Sequence, residues 1–198
     1  MSRLQRLVPL LLLLSGGATS AAAGDWADRA AGIAARLAAG DDAGAVMAAQ
    51  ELRLAVGQAA GLGVGFVTLS EPAPGGYGSY TPRAHNRYAP GEPIVIYLEP
   101  FGYRHAEVAP GIWSIDLDVD LHVFTPRAEP VAQLLSLAEL SRQSRRRAVE
   151  FGVQLTYTLT ADPGDYVLWT TLRDRHGGGR TRFRVDVVIE GEAPSDPP

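Results

Sequence analysis

Residues 112–124 constrain the fold more than any other stretch. They set Trp113, Ile115, Leu117, Val119, Leu121 and Val123 on one side of an extended chain, and Ser114, Asp116, Asp118, Asp120 and His122 on the other. A period of two fits a strand with one dry and one wet face; a helix repeats about every 3.6 residues. Such a strand belongs to a sheet whose apolar face must be covered by a second layer. The pattern recurs with Phe151, Val153, Leu155, Tyr157 and Leu159 against Gly152, Gln154, Thr156 and Thr158, and again with Phe183, Val185, Val187 and Ile189. Strands are therefore expected over 94–98, 112–124, 151–160, 166–172 and 181–189, punctuated by Pro, Gly and Asp turn signals.

The run Asp162-Pro163-Gly164-Asp165-Tyr166 opens a strand in the manner of a tyrosine corner. The expected fold is mainly β: an immunoglobulin-like antiparallel β-sandwich over residues 66–190, preceded by an α-helical hairpin. Residues 131–147 are read as an edge strand, although Val131, Leu134, Leu135 and Ala138 also suit a helical stripe. Residues 191–198 read as a flexible tail.

The hairpin is expected over residues 24–60. Trp26, Ala30, Ile33, Ala34 and Leu37 recur at helical spacing, and Ala45, Ala49, Leu52, Val56 and Ala59 form a second stripe. Gly40 suits a helix C′ position between them, with Asp41 or Asp42 as the next N-cap. Two apolar stripes need cover, so the hairpin is expected to pack on the sandwich. Val167 and Trp169 fall on the nominally wet face of their strand and leave an apolar spot there, to be covered either by that hairpin, the expected cover, or by a partner.

Residues 1–23 read as a secretory signal peptide. Arg3 and Arg6 precede the short apolar run 7–14, and Ala21 and Ala23 stand in an A-x-A relation that places cleavage after Ala23. The apolar run is far shorter than the roughly 20 residues that span a bilayer, so no membrane span is expected. The expected location is periplasmic or secreted.

All 18 basic residues are Arg, and the chain has no Lys and no Cys. That excludes a phosphate-loop Lys, a Schiff base, a thiolate nucleophile, an iron–sulfur cluster and a thiolate zinc site. The formal charge of −4 argues against a nucleic-acid partner, which needs dense positive charge. No cofactor is expected.

Tyr80-Thr81-Pro82-Arg83, the run 90–100 with Gly102-Tyr103, and the run 163–168 with Leu172-Arg173-Asp174 resemble an uncharacterised family of exported bacterial proteins. The resemblance implies export, a helical N-terminal hairpin and a β-sandwich. It implies no activity and no site residue.

The richest candidate surface lies between residues 75 and 103. Tyr77, Tyr80, Tyr88, Tyr97 and Tyr103 alternate there with Arg83, Asn86, Arg87 and Glu99, and the five tyrosines with Arg83 and Glu99 are the candidate contact residues. Tyrosine joins a stacking face to a hydroxyl, which suits protein interfaces and sugar platforms, though it packs equally well in a core. The expected function is an exported envelope binding or adaptor module, acting through tyrosine-rich loops on an envelope protein or glycan. A carbohydrate-binding module is the alternative, followed by a hydrolase whose site assembles in space.

Asp116, Asp118 and Asp120 share one strand face, about 6.8 Å apart, and are the candidate cation ligands. Against that stands a solvated face balanced by Arg182, Arg184 or Arg145 to Arg147. Arg142, Arg145, Arg146 and Arg147 form a basic cluster that suits a solvated sheet edge or an anionic partner. His176-Gly177-Gly178-Gly179 mimics an oxyanion loop, but with no nucleophile elbow in the chain it reads as a hairpin turn.

Overall fold

The computed structural model describes residues 18–191, with side chains from residue 25 onward apart from 73–75. The leader expected over residues 1–23 lies outside the described residues up to residue 17, as does the tail from residue 192. The chain forms two compact units whose boundary falls between Leu52 and Arg53.

Helix α1 (Ala18–Ala38) ends in a turn that its own backbone closes. The Asp41 N–H donates to the Arg36 carbonyl at 2.9 Å and the Gly40 N–H to the Leu37 carbonyl at 3.1 Å. This paired closure needs a left-handed residue, supplied by Gly40 at φ 76°. Asp41 then caps helix α2 (Asp42–Ala60), its Oδ1 accepting the Gly44 N–H at 3.0 Å.

The second unit starts within α2, and here the expected stripe needs correction. Leu54 is buried, whereas Val56 is exposed. The contact line runs through Leu54 and Gly57 because Gly57, lacking a side chain, lets the helix approach the backbone of Gly102. A methyl group at Gly57 would sit 3.4 Å from the Gly102 nitrogen.

Ten strands follow among the described residues: β1 (Gly63–Gly76), β2 (Ser79–Pro82), β3 (Arg87–Tyr88), β4 (Pro93–Phe101), β5 (Ala106–Ala109), β6 (Ile112–Phe124), β7 (Pro130–Ser144), β8 (Val153–Thr158), β9 (Gly164–Asp174) and β10 (Arg180–Ile189). One sheet runs β2-β1-β4-β8 and the other β3-β10-β9-β6-β5, with β7 also paired to β6. Residues 117–124 of β6 pair with β9 on one side and β7 on the other, so β7 is an edge strand.

The fold is the mainly β, sandwich-like arrangement that the alternation implies, with two N-terminal helices. Ile115, Leu117, Val119, Leu121 and Val123 are buried, and so are Ile94, Ile96 and Leu98 of β4, Leu155 and Tyr157 of β8, and Leu168 and Leu172 of β9. Tyr157 and Thr170 share a buried hydrogen bond of 3.1 Å between the sheets. The tyrosine corner is present: Tyr166 donates to the Asp162 carbonyl at 2.7 Å.

Two features depart from the sequence reading. Tyr80, Tyr88 and Tyr97 lie on strands β2, β3 and β4, so the tyrosine-rich region is largely sheet and not loop. Strand β7 also carries a bulge: Val119 faces Ala138 and Leu121 faces Leu134, leaving residues 135–137 against Asp120 alone. Ser136 sits there at φ 50°, and its N–H donates to Asp120 Oδ1 at 2.8 Å.

Candidate functional site

The sequence reading singled out seven residues over 77–103, and the fold divides them by depth. Tyr88, Tyr97 and Tyr103 are almost completely buried. Burial pushes the Tyr88 hydroxyl above its ordinary range and the Tyr103 hydroxyl up to about 12. Tyr103 packs edge-on against Phe151 and donates to the Ala148 carbonyl at 3.3 Å. The Arg83 guanidinium lies 4.3 Å from the Tyr88 ring, pairs with Glu92 at 2.7 Å and donates to the Arg87 carbonyl at 2.9 Å. Arg83 and Tyr88 therefore pin β3 and its flanking turns, and neither presents a free head group to a partner.

Tyr97 organises the remaining residues. Its hydroxyl accepts the Gly78 N–H at 2.7 Å and donates to Glu99 Oε1 at 2.7 Å. Burial, then the bond to the Glu99 carboxylate, pushes its pKa up to about 12. Tyr80 stacks on Tyr97 with ring centres 4.4 Å apart and planes 20° from parallel, and Phe66 lies 5.3 Å from Tyr80. Gly152 leaves room for this hydroxyl, since a side chain there would press on it and on the Tyr77 backbone.

Glu99, Tyr77 and Tyr103 meet in a cleft of about 150 Å³ that also includes Arg53 and Phe101. Arg53 is the residue that sequence reasoning missed. It donates to the Tyr77 hydroxyl at 2.9 Å and to Glu150 Oε1 at 3.0 Å, and its guanidinium lies 5.7 Å from the Tyr77 ring centre. The bond to Tyr77, followed by that to Glu150, holds the Arg53 pKa above its ordinary value. A signal was present, because Arg53 is the single basic residue of α2. Gly57, Gly65 and Gly102 also line the cleft, and the missing side chains of Gly57 and Gly102 let these two backbones pack directly against each other. A wider hollow of about 440 Å³ adjoins it, lined by Tyr77, Ser141, Arg142, Glu150 and Gly152. Tyr77 borders both spaces, and the Arg53–Glu150 pair links them.

The acidic ladder is engaged within the sheet. Asp116 accepts Ser141 at 2.6 Å and Ser114 at 2.7 Å, and lies 2.6 Å from His176 Nε2. Burial raises the Asp116 pKa, but these hydrogen bonds together outweigh it and hold the carboxyl below its usual range. Asp118 lies 3.8 Å from Arg175, and Asp120 pairs with Arg173 at 3.0 Å. The partners are thus Arg173, Arg175 and His176, and not Arg182, Arg184 or Arg145 to Arg147. Strand order explains the correction: Asp118 faces Arg173 directly across the β6–β9 ladder, whereas Arg182 and Arg184 lie one strand further away on β10. No cluster of three or more metal-ligating side chains occurs among the described residues.

His176 and the two serines also bear on the hydrolase expectation. Here the carboxylate stands between hydroxyl and imidazole, whereas nucleophilic activation needs the imidazole between the other two. The His176-Gly-Gly-Gly run connects β9 to β10 as a turn, with Gly178 at φ 68° and its N–H donating to the Asp174 carbonyl at 2.8 Å.

No family model matches the chain, and no curated protein does. Among solved structures it is similar to Spo0M, the sporulation control protein from Bacillus subtilis, at 14% identity and a TM-score of 0.29, over 67% of this chain and 50% of that one. The chain thus spans half the length of that neighbour.

Proposed function

We propose that this chain is an exported binding or adaptor module of a bacterial cell envelope, without catalytic activity of its own, and that Arg53, Tyr77 and Glu99 form its contact surface. The leader-like residues 1–23 and the resemblance to exported proteins support the location. No described helix is long and apolar enough to cross a membrane.

The observation that carries the reading is the Arg53–Tyr77–Glu150 junction between two adjoining hollows. Arginine and tyrosine are over-represented where protein partners contribute most binding energy, because each joins a broad apolar surface to directional hydrogen bonds. An envelope protein therefore suits this surface better than an isolated small molecule.

The test is in-cell photo-crosslinking from Phe101, which is 41% exposed and lines the cleft, with a control probe at Val108 on β5, which is 50% exposed. A discrete protein adduct from position 101 and none from 108 is expected. The same adducts from both positions, or none from 101, would overturn the proposal.

A further inference from the structure

Strand β7 is the longest of the described strands, with 15 residues, and it lies at a sheet edge. The other edges are short: β2 and β5 have 4 residues, β3 has 2 and β8 has 6. An edge strand exposes a row of unpaired N–H and C=O groups, and proteins keep such strands short or charged to prevent pairing with another chain. Neither protection applies over residues 130–138, which include no charged side chain. Val131, Leu134, Leu135 and Leu137 are all exposed there. The two charges of β7 are answered within the chain: Glu139 pairs with Arg175 at 3.0 Å, and Arg142 donates to the Glu150 carbonyl at 2.7 Å.

The bulge at residues 135–137 does not close this edge. The Ser136 N–H donates to Asp120 Oδ1 at 2.8 Å, and Arg173 Nη2 donates to Ser136 Oγ at 3.3 Å. Asp120 and Arg173 stand on the outer face of the second sheet, so the bulge is folded over that face. The runs on either side of it, 130–134 and 138–142, pair with β6 alone among the described strands.

The order of side chains on the inner face selects the partner. Register with β6 sets Ala132, Leu134, Ala138 and Leu140 on that face, opposite Val123, Leu121, Val119 and Leu117. Small, large, small, large is a pattern complementary to its own reverse. A second copy laid antiparallel about a twofold axis at Ser136 sets Leu134 beside Ala138 and Ala132 beside Leu140, each contact made twice. Leu134, which is 45% exposed although it faces the core side, gains the cover that its own chain leaves out. At the axis the two bulges face each other, so neither strand needs a residue more than its partner, and Leu135 meets Leu137. Glu139 falls against Gln133 and Arg142 against Pro130, so no like charges oppose one another.

We propose that the chain pairs with a second copy of itself through β7, antiparallel about Ser136, joining the two second sheets into one. This surface is separate from the Arg53 cleft, none of whose lining residues belongs to β7.

Sedimentation velocity of the folded chain, from micromolar to millimolar concentration, reads the association directly. A reversible dimer of twice the chain mass is expected. Leu135→Glu and Leu137→Arg each replace an exposed leucine, and each should weaken the dimer about tenfold while the melting temperature stays within a few degrees of native. An equimolar mixture of the two variants should recover most of the native affinity, because the new carboxylate of one copy meets the new guanidinium of the other. A chain that stays monomeric at millimolar concentration, a dimer that neither variant weakens, or a mixture that associates no better than either variant alone would each overturn the proposal.

Discussion

The Tyr166 hydroxyl donates to the carbonyl of Asp162, four residues earlier, at 2.7 Å. The bond folds the connection from β8 back onto the start of β9 and leaves the Tyr166 ring buried in the core. Tyr166→Phe keeps the ring and removes the bond. It should cost about 1 kcal/mol, read as a lower urea midpoint with an unchanged slope.

Gly102 stands at φ 74° beside the cleft, and a methyl group there would collide with the carbonyl oxygens of Gly61 and Gly57. Gly102→Ala combines backbone strain with a clash against backbone that has little room to yield. A loss of about 2–4 kcal/mol is expected. Thermal unfolding measures it, and Gly111→Ala is the control: it has a similar φ of 69° but open space around it, and should lose less.

The carboxyl of Asp116 is held below its usual range by Ser141, Ser114 and His176, which together outweigh burial. A depressed folded-state pKa contributes stability that is present above the unfolded value, about 3.9, and is lost as pH falls through the folded value. Asp116→Asn should therefore be less stable than the native chain by about 1–2 kcal/mol at pH 7. That gap should close in acid, as urea midpoints from neutral pH down through the carboxylate range will show.

Tyrosines give the opposite sign. Burial drives the hydroxyls of Tyr97, Tyr103 and Tyr157 up to about 12. A raised folded-state pKa contributes stability that is fully present below the unfolded value, about 10, and is lost as pH rises toward the folded value. Ultraviolet titration of phenolate should show these three still protonated near pH 10 in the folded protein. Their ionisation should coincide with unfolding at higher pH.

How far the sequence could be read depended on the kind of pattern. Strand β6 was legible because every second residue from Ile115 to Val123 is apolar and buried. Strand β1 was not, because Gly63, Gly65, Pro72 and Pro74 interrupt its periodicity, and β3 has only two residues. Tyr77 and Glu99 line the cleft, but composition could not separate them from Tyr88 and Tyr97, which share their chemistry and lie in the core. Arg53 read as a solvated helix charge because its partners, Tyr77 and Glu150, lie 24 and 97 residues away in sequence. The same distance problem hid Arg173 as the partner of Asp120: only strand order brings β9 and not β10 beside β6.

The central claim is that the Arg53–Tyr77 junction meets a protein partner, and it is tested most directly by repeating the Phe101 crosslink in an Arg53→Gln background. Arg53 is about half exposed and its ion pair with Glu150 is a surface one, so the substitution should change stability by less than about 1 kcal/mol. The account predicts that adduct yield falls about tenfold while the melting temperature stays within a few degrees of native. An adduct that forms with undiminished yield in Arg53→Gln would contradict it.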